Sequence, residues 1–458
     1  MPILQPYITA SSSITKEIKK AHSRVFRRCY IKRRDTTTGL FESNWQEITN
    51  DIKRWGQIGS NVDYERYGSF NFLGTNLIMD NSKGRYSPAT SDNSLWYGYM
   101  SQQRTLIKIE AGFVHQWLDT NGIWHNDTYP SDPTIFRGII SGAINYNDQD
   151  EVVLPLKPLM QVFSDFLYDD IFLAAGDYLD SAVTELSISD KIKPFFDNTS
   201  SNFDIASIPS VAAQKWPGGQ TTDLSVWKFI ESMARQLNLV PYITPAGVFK
   251  VRNKTVSSTT AFEFYGAGPT INTEYGQTIK DVTYYGVNAN NFYSKVIYQY
   301  NWTNLFTTTG PLYAVTSLSS TITGSNLVWE YGAKALTVSD SDGDFDIVGL
   351  TLPTAQAIAN SLCGQIFNEV SRADEEIRFK TTFIPHLNLL DRVKITYDSS
   401  DYTSNQTLWD AYNWDTELTW DDGAEGAIVL QNEPFKILSI QIDLDNLETN
   451  FVCRALNE

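Results

Sequence analysis

The segment Leu352-Pro353-Thr354-Ala355 opens a cassette that runs through Glu376-Ile377-Arg378-Phe379-Lys380-Thr381-Thr382 to Leu387-Asn388-Leu389-Leu390-Asp391-Arg392-Val393-Lys394-Ile395-Thr396-Tyr397. Ala355, Ile358, Ala359, Leu362, Ile366 and Val370 recur at three- and four-residue spacings, which puts them on one face of a helix. Pro353 and Thr354 suit the N-terminus of that helix. Ile377, Phe379 and Thr381 alternate with polar neighbours, and so do Val393, Ile395 and Tyr397, which predicts two strands.

Composition agrees with a chain built mainly of strands. Aromatic residues make up 13%, including 24 Tyr and 12 Trp. Branched and aromatic side chains fit a pleated, half-buried surface. At 458 residues, two to four domains are expected. Charged residues are only 19%, against about 25% in an ordinary globular domain, so much of the surface is neutral or covered by subunits.

The net charge is −17 and unevenly spread. Lys16, Lys19, Lys20, Arg24, Arg27, Arg28, Lys32, Arg33 and Arg34 face Glu17 alone, whereas residues 398–458 are strongly acidic. This asymmetry predicts contact between oppositely charged ends of neighbouring subunits, or a basic arm on a partner. The acidity of the remaining chain argues against phosphate binding. Cys29, Cys363 and Cys453 are far apart and fit neither a disulfide framework nor a metal motif, so buried free thiols are expected. No apolar run reaches membrane-spanning length, and Met1–Pro6 has no secretory pattern, so folding in a cytoplasm is expected.

Along the chain, strands are expected at 25–31, 45–52, 58–63, 70–72, 76–81, 105–112 and 136–145, a spacing that suggests a sandwich or barrel. Val152–Leu156 reads as a strand and Leu159–Phe166 as a helix with Pro158 in its first turn. A second helix is expected over Leu224–Leu237, capped by Asp223. It leads into a hairpin, 239–243 and 248–252, turned at Gly247. Residues 255–349 read as short strands without a clear helix. Trp-Asp recurs through Trp409, Trp414 and Trp420 in a loop at 407–422.

Candidate chemistry is sparse. Asp340, Asp342, Asp344 and Asp346 alternate on a turn and are the weak metal candidate, for Ca²⁺. Gly343 is misplaced for a calcium loop and no Glu stands at the required offset, so a solvated acidic turn is the preferred reading. Asp410, Asp415, Glu417, Asp421 and Asp422 lie beside Trp409, Trp414 and Trp420, a set that would suit glycan binding or hydrolysis. The competing reading gives those tryptophans to a subunit contact. His22, His115, His125 and His386 form no triad or zinc motif. No catalytic residue and no cofactor are expected, and the chain is read as not an enzyme.

Four places resemble the tail hub proteins of bacteriophages. They are Trp45-Gln46-Glu47-Ile48-Thr49, Phe136-Arg137-Gly138-Ile139-Ile140, the helix and hairpin from Ser225 to Arg252, and the cassette at 352–397. Leu390 stands where the family's Leu-Gly-Asp-x-Val turn has Gly. The resemblance implies a mainly β fold with minor α (α+β), with two β-barrel tube-type domains flanking a mixed middle region. Residues 1–150 would be the N-terminal barrel, 151–254 a helix-plus-hairpin domain, 255–349 a β-rich domain and 350–458 the C-terminal barrel. It further implies a homotrimer in the virion tail, assembled in the host cytoplasm. The trimer would join tail tube or distal tail protein, tape-measure protein and tip or fibre protein, and genomic DNA would pass unbound during ejection. The alternative is a carbohydrate- or receptor-binding tail protein, or a tail-associated glycan hydrolase.

Overall fold

The computed structural model describes residues 24–35, 37–63, 69–86, 104–118, 124–129, 132–141, 144–148, 150–167, 171, 179–208, 225–237, 239–254, 256, 258–266, 278–287, 292–303, 308–318, 327–338, 347–348, 351–399 and 428–456. The first third is β1 (Arg24–Arg33), β2 (Gln46–Glu47), β3 (Ile52–Arg54), β4 (Gln57–Asp63), β5 (Ser69–Leu73), β6 (Thr75–Asp80), β7 (Thr105–Leu118), β8 (Trp124–Tyr129), β9 (Thr134–Ile140), β10 (Asn145–Asp148) and β11 (Glu151–Pro158). The middle holds α1 (Gln161–Asp165), α2 (Leu179–Ile188), α3 (Val226–Gln236), β12 (Leu239–Ile243) and β13 (Phe249–Asn253). There follow β14 (Thr260–Tyr265), β15 (Ile279–Val287), β16 (Lys295–Thr303), β17 (Thr308–Ser317), α4 (Leu327–Tyr331), β18 (Ala335–Val338) and β19 (Ile347–Val348). The chain closes with α5 (Leu352–Val370), β20 (Glu375–Thr382), β21 (Arg392–Asp398), β22 (Val429–Asp443) and β23 (Glu448–Ala455). Strands dominate, as the composition predicts.

The first sheet has the order β2-β1-β7-β9-β11-β6-β3, with β8 also on β7 and β10 also on β11. Its spine is the antiparallel pairing of β1 with β7, in register from Arg24↔Val114 to Arg33↔Thr105. The two end strands, β2 and β3, are separated in sequence only by residues 48–51. Four residues span at most about 17 Å between their flanks, so the sheet has to curl until its ends approach. A 3-10 turn at Thr49–Asp51 makes the bend, where a continuous strand over 45–52 is expected from sequence. The Ile48 amide bonds the Cys29 carbonyl at 2.8 Å and ties the bend to β1.

The second sheet has the order β14-β21-β22-β23-β20-β15 and also curls. The Thr278 amide donates to the Tyr265 carbonyl at 2.9 Å, and the Tyr265 amide donates to Thr278 Oγ1 at 2.9 Å, which brings the two end strands together. Phe264, Phe379 and Phe451 fill its interior, with ring centroids 4.9 to 5.6 Å apart. Their buried faces follow from the alternation of β14, β20 and β23.

Sheet membership cuts across the segments expected from sequence. Hairpin β4–β5 leaves the first sheet and pairs with β22 of the second, Gln57↔Asp443 through Asn61↔Ser439. Strand β11 belongs to the first sheet, although the middle region is expected to begin at 151. Pro158 ends that strand, and the helix starts later, at Gln161. Strands β14 and β15 belong to the second sheet.

Between β15 and β20 the chain builds a separate four-stranded sheet, β17-β16-β18 with β19 on β16, and lays α5 across it. This unit has its own core of Val296, Tyr298, Leu336, Ala355, Ala359, Leu362, Cys363 and Ile366. The cassette helix is therefore where its periodicity puts it, but its apolar face covers the inserted sheet rather than the second sheet. The short helix α4 interrupts a region read from sequence as lacking helix. In the middle, α3 buries Val226, Phe229, Ile230 and Met233, as its spacing predicts. Phe163 stacks on Trp227 at 6.1 Å and Phe196 at 5.6 Å, and Gly247 turns the β12–β13 hairpin with φ +85°.

Leu390 adopts φ +62°, so the turn keeps the left-handed geometry that Gly would supply. Its amide bonds the Ile437 carbonyl at 2.8 Å, and its side chain is buried. Left-handed backbone costs an L-residue roughly 1–2 kcal/mol, and burial of Leu offsets this by about 2–3 kcal/mol. Leu390→Ala is expected to destabilise by about 3 kcal/mol in urea titrations, and Leu390→Gly by about 1 kcal/mol less, reversing the usual order of the two replacements.

Candidate functional site

The place where distant parts of the chain converge is the junction of the two curled sheets. The chain leaves the first sheet at Trp55-Gly56 and returns at Gly74. A Cβ on Gly56 would lie 2.7 Å from the Asn76 carbonyl oxygen, and one on Gly74 would lie 2.1 Å from that of Leu156. Both crossings therefore exclude any larger residue. Between them, β4 buries Ile58 and β5 buries Phe70. Each such side chain contributes about 2 kcal/mol, more than the roughly 1 kcal/mol net of a single ladder bond.

Polar groups fix the same junction. The Asp445 carboxylate accepts from the Trp55 amide at 2.9 Å and the Gly56 amide at 3.2 Å. Asp443 accepts from the Gln57 side chain at 3.2 Å and from the Asn446 amide at 2.9 Å. Partial burial would raise its carboxyl, but the hydrogen bonds from Asn446, Gln57 and the Asp445 amide outweigh that and hold it below the usual range. Arg27 donates to the Leu444 carbonyl and lies 5.4 Å from the Trp55 ring centroid. Lys32 pairs with Asp197 at 2.9 Å and Arg33 with Glu42 at 2.6 Å. Arg34 lies over Phe41 and Phe195 at 5.7 and 5.2 Å. These four cations of the basic stretch are thus engaged inside the chain, and Arg27 reaches the C-terminal turn at Leu444 of the same chain.

A second polar clamp joins the first sheet to the helical middle. Lys32, Lys108 and Arg137 lie 4.7, 5.1 and 5.4 Å from the Trp45 ring centroid. Asp197 bridges Lys32 at 2.9 Å and Arg137 at 2.7 Å. Burial pushes the Asp197 carboxyl up, but the two cations prevail and keep it ionised. A third clamp, Lys436 to Glu369 at 2.6 Å, ties α5 to β22. The motif residues Trp45 and Arg137 meet here, although their sequence pattern marks them only as strand positions.

Asp340, Asp342, Asp344 and Asp346, and Trp409, Trp414 and Trp420, lie outside the described residues, as do the carboxylates around those tryptophans. His22 lies outside them too, as do the side chains of His115 and His125; the strands carrying the latter two pair Trp117↔His125 and Leu118↔Trp124. All three cysteines are buried free thiols, as expected. Among the described residues no group of three or more His, Cys, Asp and Glu could hold a metal ion, and no helix is long and apolar enough to cross a membrane. A cavity of about 290 Å³ lies at the sheet junction, between Phe70, Tyr242, Arg252, Leu387 and Ile440.

His386 follows Pro385 and precedes Leu387, which line that cavity, and its own ring lies edge-on to Phe262 at 5.8 Å between ring centroids. Its Nδ1 is buried without a hydrogen-bond partner. Burial pushes its pKa down to about 4 from 6.5. The unfolded chain therefore binds the proton first, and stability falls as pH drops from 6.5 toward 4. The loss amounts to on the order of 3 kcal/mol over that window. Thermal melts of His386→Leu are expected to show a smaller drop between pH 7 and 4.5 than the native chain.

The chain matches no protein-family model and no curated protein in sequence. Among solved structures it is similar to a tail protein from Neisseria meningitidis MC58, at 10% identity and TM-score 0.49, over 94% of this chain and 97% of that one. It is also similar to the 43 kDa tail protein of prophage MuSo2 from Shewanella oneidensis, at 11% identity and TM-score 0.44, over 93% and 98%. A third similar structure is prophage tail protein gp18 from Listeria monocytogenes EGD-e, at 8% identity and TM-score 0.42, over 93% and 94%.

Proposed function

We propose that this chain is a structural protein of a viral tail, a trimeric hub joining the tail tube to the tail tip or baseplate. The observation that carries the reading is the pair of curled sheets in one chain, locked by a shared hairpin. Two rolled sheets of comparable size give each subunit two wall segments, and three subunits then supply six. A threefold ring also leaves no open sheet edge to polymerise, because closed symmetry uses every repeat of the interface. The resemblance of the Trp45, Phe136, Ser225–Arg252 and 352–397 stretches to tail hubs supports the same reading.

In this proposal the two sheets are tube-type barrels. The helical middle and the inserted α5 unit stand outside the wall and contact neighbouring tail components. Tail tube or distal tail protein, tape-measure protein and tip or fibre protein are the proposed partners, and the function is mechanical rather than enzymatic. The net charge of −17 suits a channel through which DNA passes without being gripped, since like charge repels phosphate within a Debye length of about 8 Å. A permanent ring needs on the order of 2,000 Å² buried per subunit pair. Mass photometry of the purified chain is expected to give a dominant species at three times the 51.8 kDa monomer. A monomer that persists at micromolar concentration and never copurifies with tail tube contradicts the reading.

A further inference from the structure

The sheet inserted between β15 and β20 is open at both edges among the described residues. Its order is β17-β16-β18, so β17 and β18 each pair with β16 alone. Open edges invite pairing with other chains, and proteins commonly blunt them with charge, lysine above all. Here Thr308–Ser317 and Ala335–Val338 contain no charged residue. Pro311 removes one amide from β17 and leaves Leu312–Ser317 able to pair. The two faces of the sheet also differ. Val296, Tyr298, Ala314 and Leu336 share a core with α5. The alternate positions form the other face, where Ile297 stands between Val315 and Thr337 in one row and Tyr313 faces Gln299 in the next. On that face Tyr313 and Val315 are 56% and 53% exposed.

Strand direction selects the occupant. β17 runs antiparallel to β16, whereas β18 runs parallel to it. Rotation about an axis along the strands preserves their direction. The β17 edge of one copy therefore meets the β18 edge of the next as an antiparallel pair, the commoner and slightly more stable kind. The two edges are complementary, and a second copy of this chain supplies the missing neighbour at both. Such a contact is heterologous: it closes into a ring or runs on as a fibre. Closure removes both edges at once, which accounts for their lack of charge.

We propose that the inserted sheets of three copies join edge to edge, β17 of each against β18 of the next, into one closed barrel with three strands from each subunit. This inference rests on the trimeric hub reading. The barrel lies on the threefold axis, beyond the tube wall. α5 fixes which face turns inward. A helix about 10 Å across does not fit inside so small a barrel, so the helices stand outside. Ile297, Tyr313, Val315 and Thr337 of all three copies then fill the interior, which buries the face exposed in the single chain. A barrel of this strand number is filled by side chains and does not admit duplex DNA, so it closes the axis until its strands part.

The test is disulfide cross-linking of the full chain. Tyr313→Cys, Val315→Cys and Ser317→Cys are each combined with Ala335→Cys or Thr337→Cys, six double variants that sample the possible registers. All five positions are exposed, and the native thiols of Cys29, Cys363 and Cys453 are buried. Within one copy β16 separates the two strands, so facing positions lie roughly 9–10 Å apart, beyond the roughly 7 Å that a disulfide spans. A bond between them therefore joins two subunits. After mild oxidation, at least one double variant is expected to lose its monomer band to covalent dimer and trimer on a non-reducing gel, while the single variants and the native chain keep theirs. A chain that is trimeric by mass photometry but cross-links in none of the six overturns the inference and leaves the hub reading standing. Cross-linking of the single variants at 313, 315 or 317 also overturns it, because β17 then pairs with its own copy. A chain that stays monomeric overturns both.

Discussion

Backbone pairing between β4 and β22 is the interaction on which the arrangement rests. It joins residues 57–61 to residues 439–443, and Ser439 Oγ donates to the Ser60 carbonyl at 3.3 Å across 379 positions of sequence. A hairpin encoded in the first sixth of the chain thereby extends a sheet whose own strands begin at Thr260. Loop closure of that length costs entropy before any contact rewards it. The return comes from burying Ile58 and Phe70 and from seating Asp445 on two backbone amides. Both curled sheets then share one continuous apolar core, from Cys29 and Ile31 to Phe451 and Cys453. The hairpin is hydrogen-bonded into the second sheet and runs directly into β3 and β6 of the first through Trp55-Gly56 and Gly74, so two short backbone crossings join the sheets.

The clamps around this core act more on orientation than on stability. Lys32 and Arg137 are nearly fully buried and share one carboxylate, an arrangement whose Coulombic gain is largely offset by desolvation. What the clamp adds is direction, because Trp45 and Asp197 meet those cations in only one docking of the helical middle on the first sheet. Lys436 and Glu369 do the same for the inserted unit. Each of the three attachments therefore pairs an apolar core with a charged latch.

Much of this was legible in the sequence, and the misses share a cause. Periodicity located α3, α5, the β12–β13 hairpin and most strands of the two sheets, since each is a local pattern of side chains. Partnership is not local. Ile58–Asp63 and Phe70–Phe72 read correctly as strands, yet nothing in their alternation says which sheet they join. The available signal was the pair of glycines bracketing them, Gly56 and Gly74, at positions where no Cβ fits. The cassette helix shows the same limit: Ala355 to Val370 define a face, but not the surface that the face meets. Leu390 shows the converse, a turn whose geometry survives a residue that disfavours it because burial outweighs strain. Trp45 and Arg137 gave no warning of their common clamp, because Asp197, which completes it, comes from a segment without periodicity.

Hydrogen exchange resolved to single amides tests the shared ladder most directly. If hairpin β4–β5 belongs to the second sheet, the bonded amides of residues 57–61 exchange as slowly as those of residues 439–443, at least about a hundredfold below the unprotected rate. Fast exchange at 57–61 beside slow exchange at 439–443 would contradict the account.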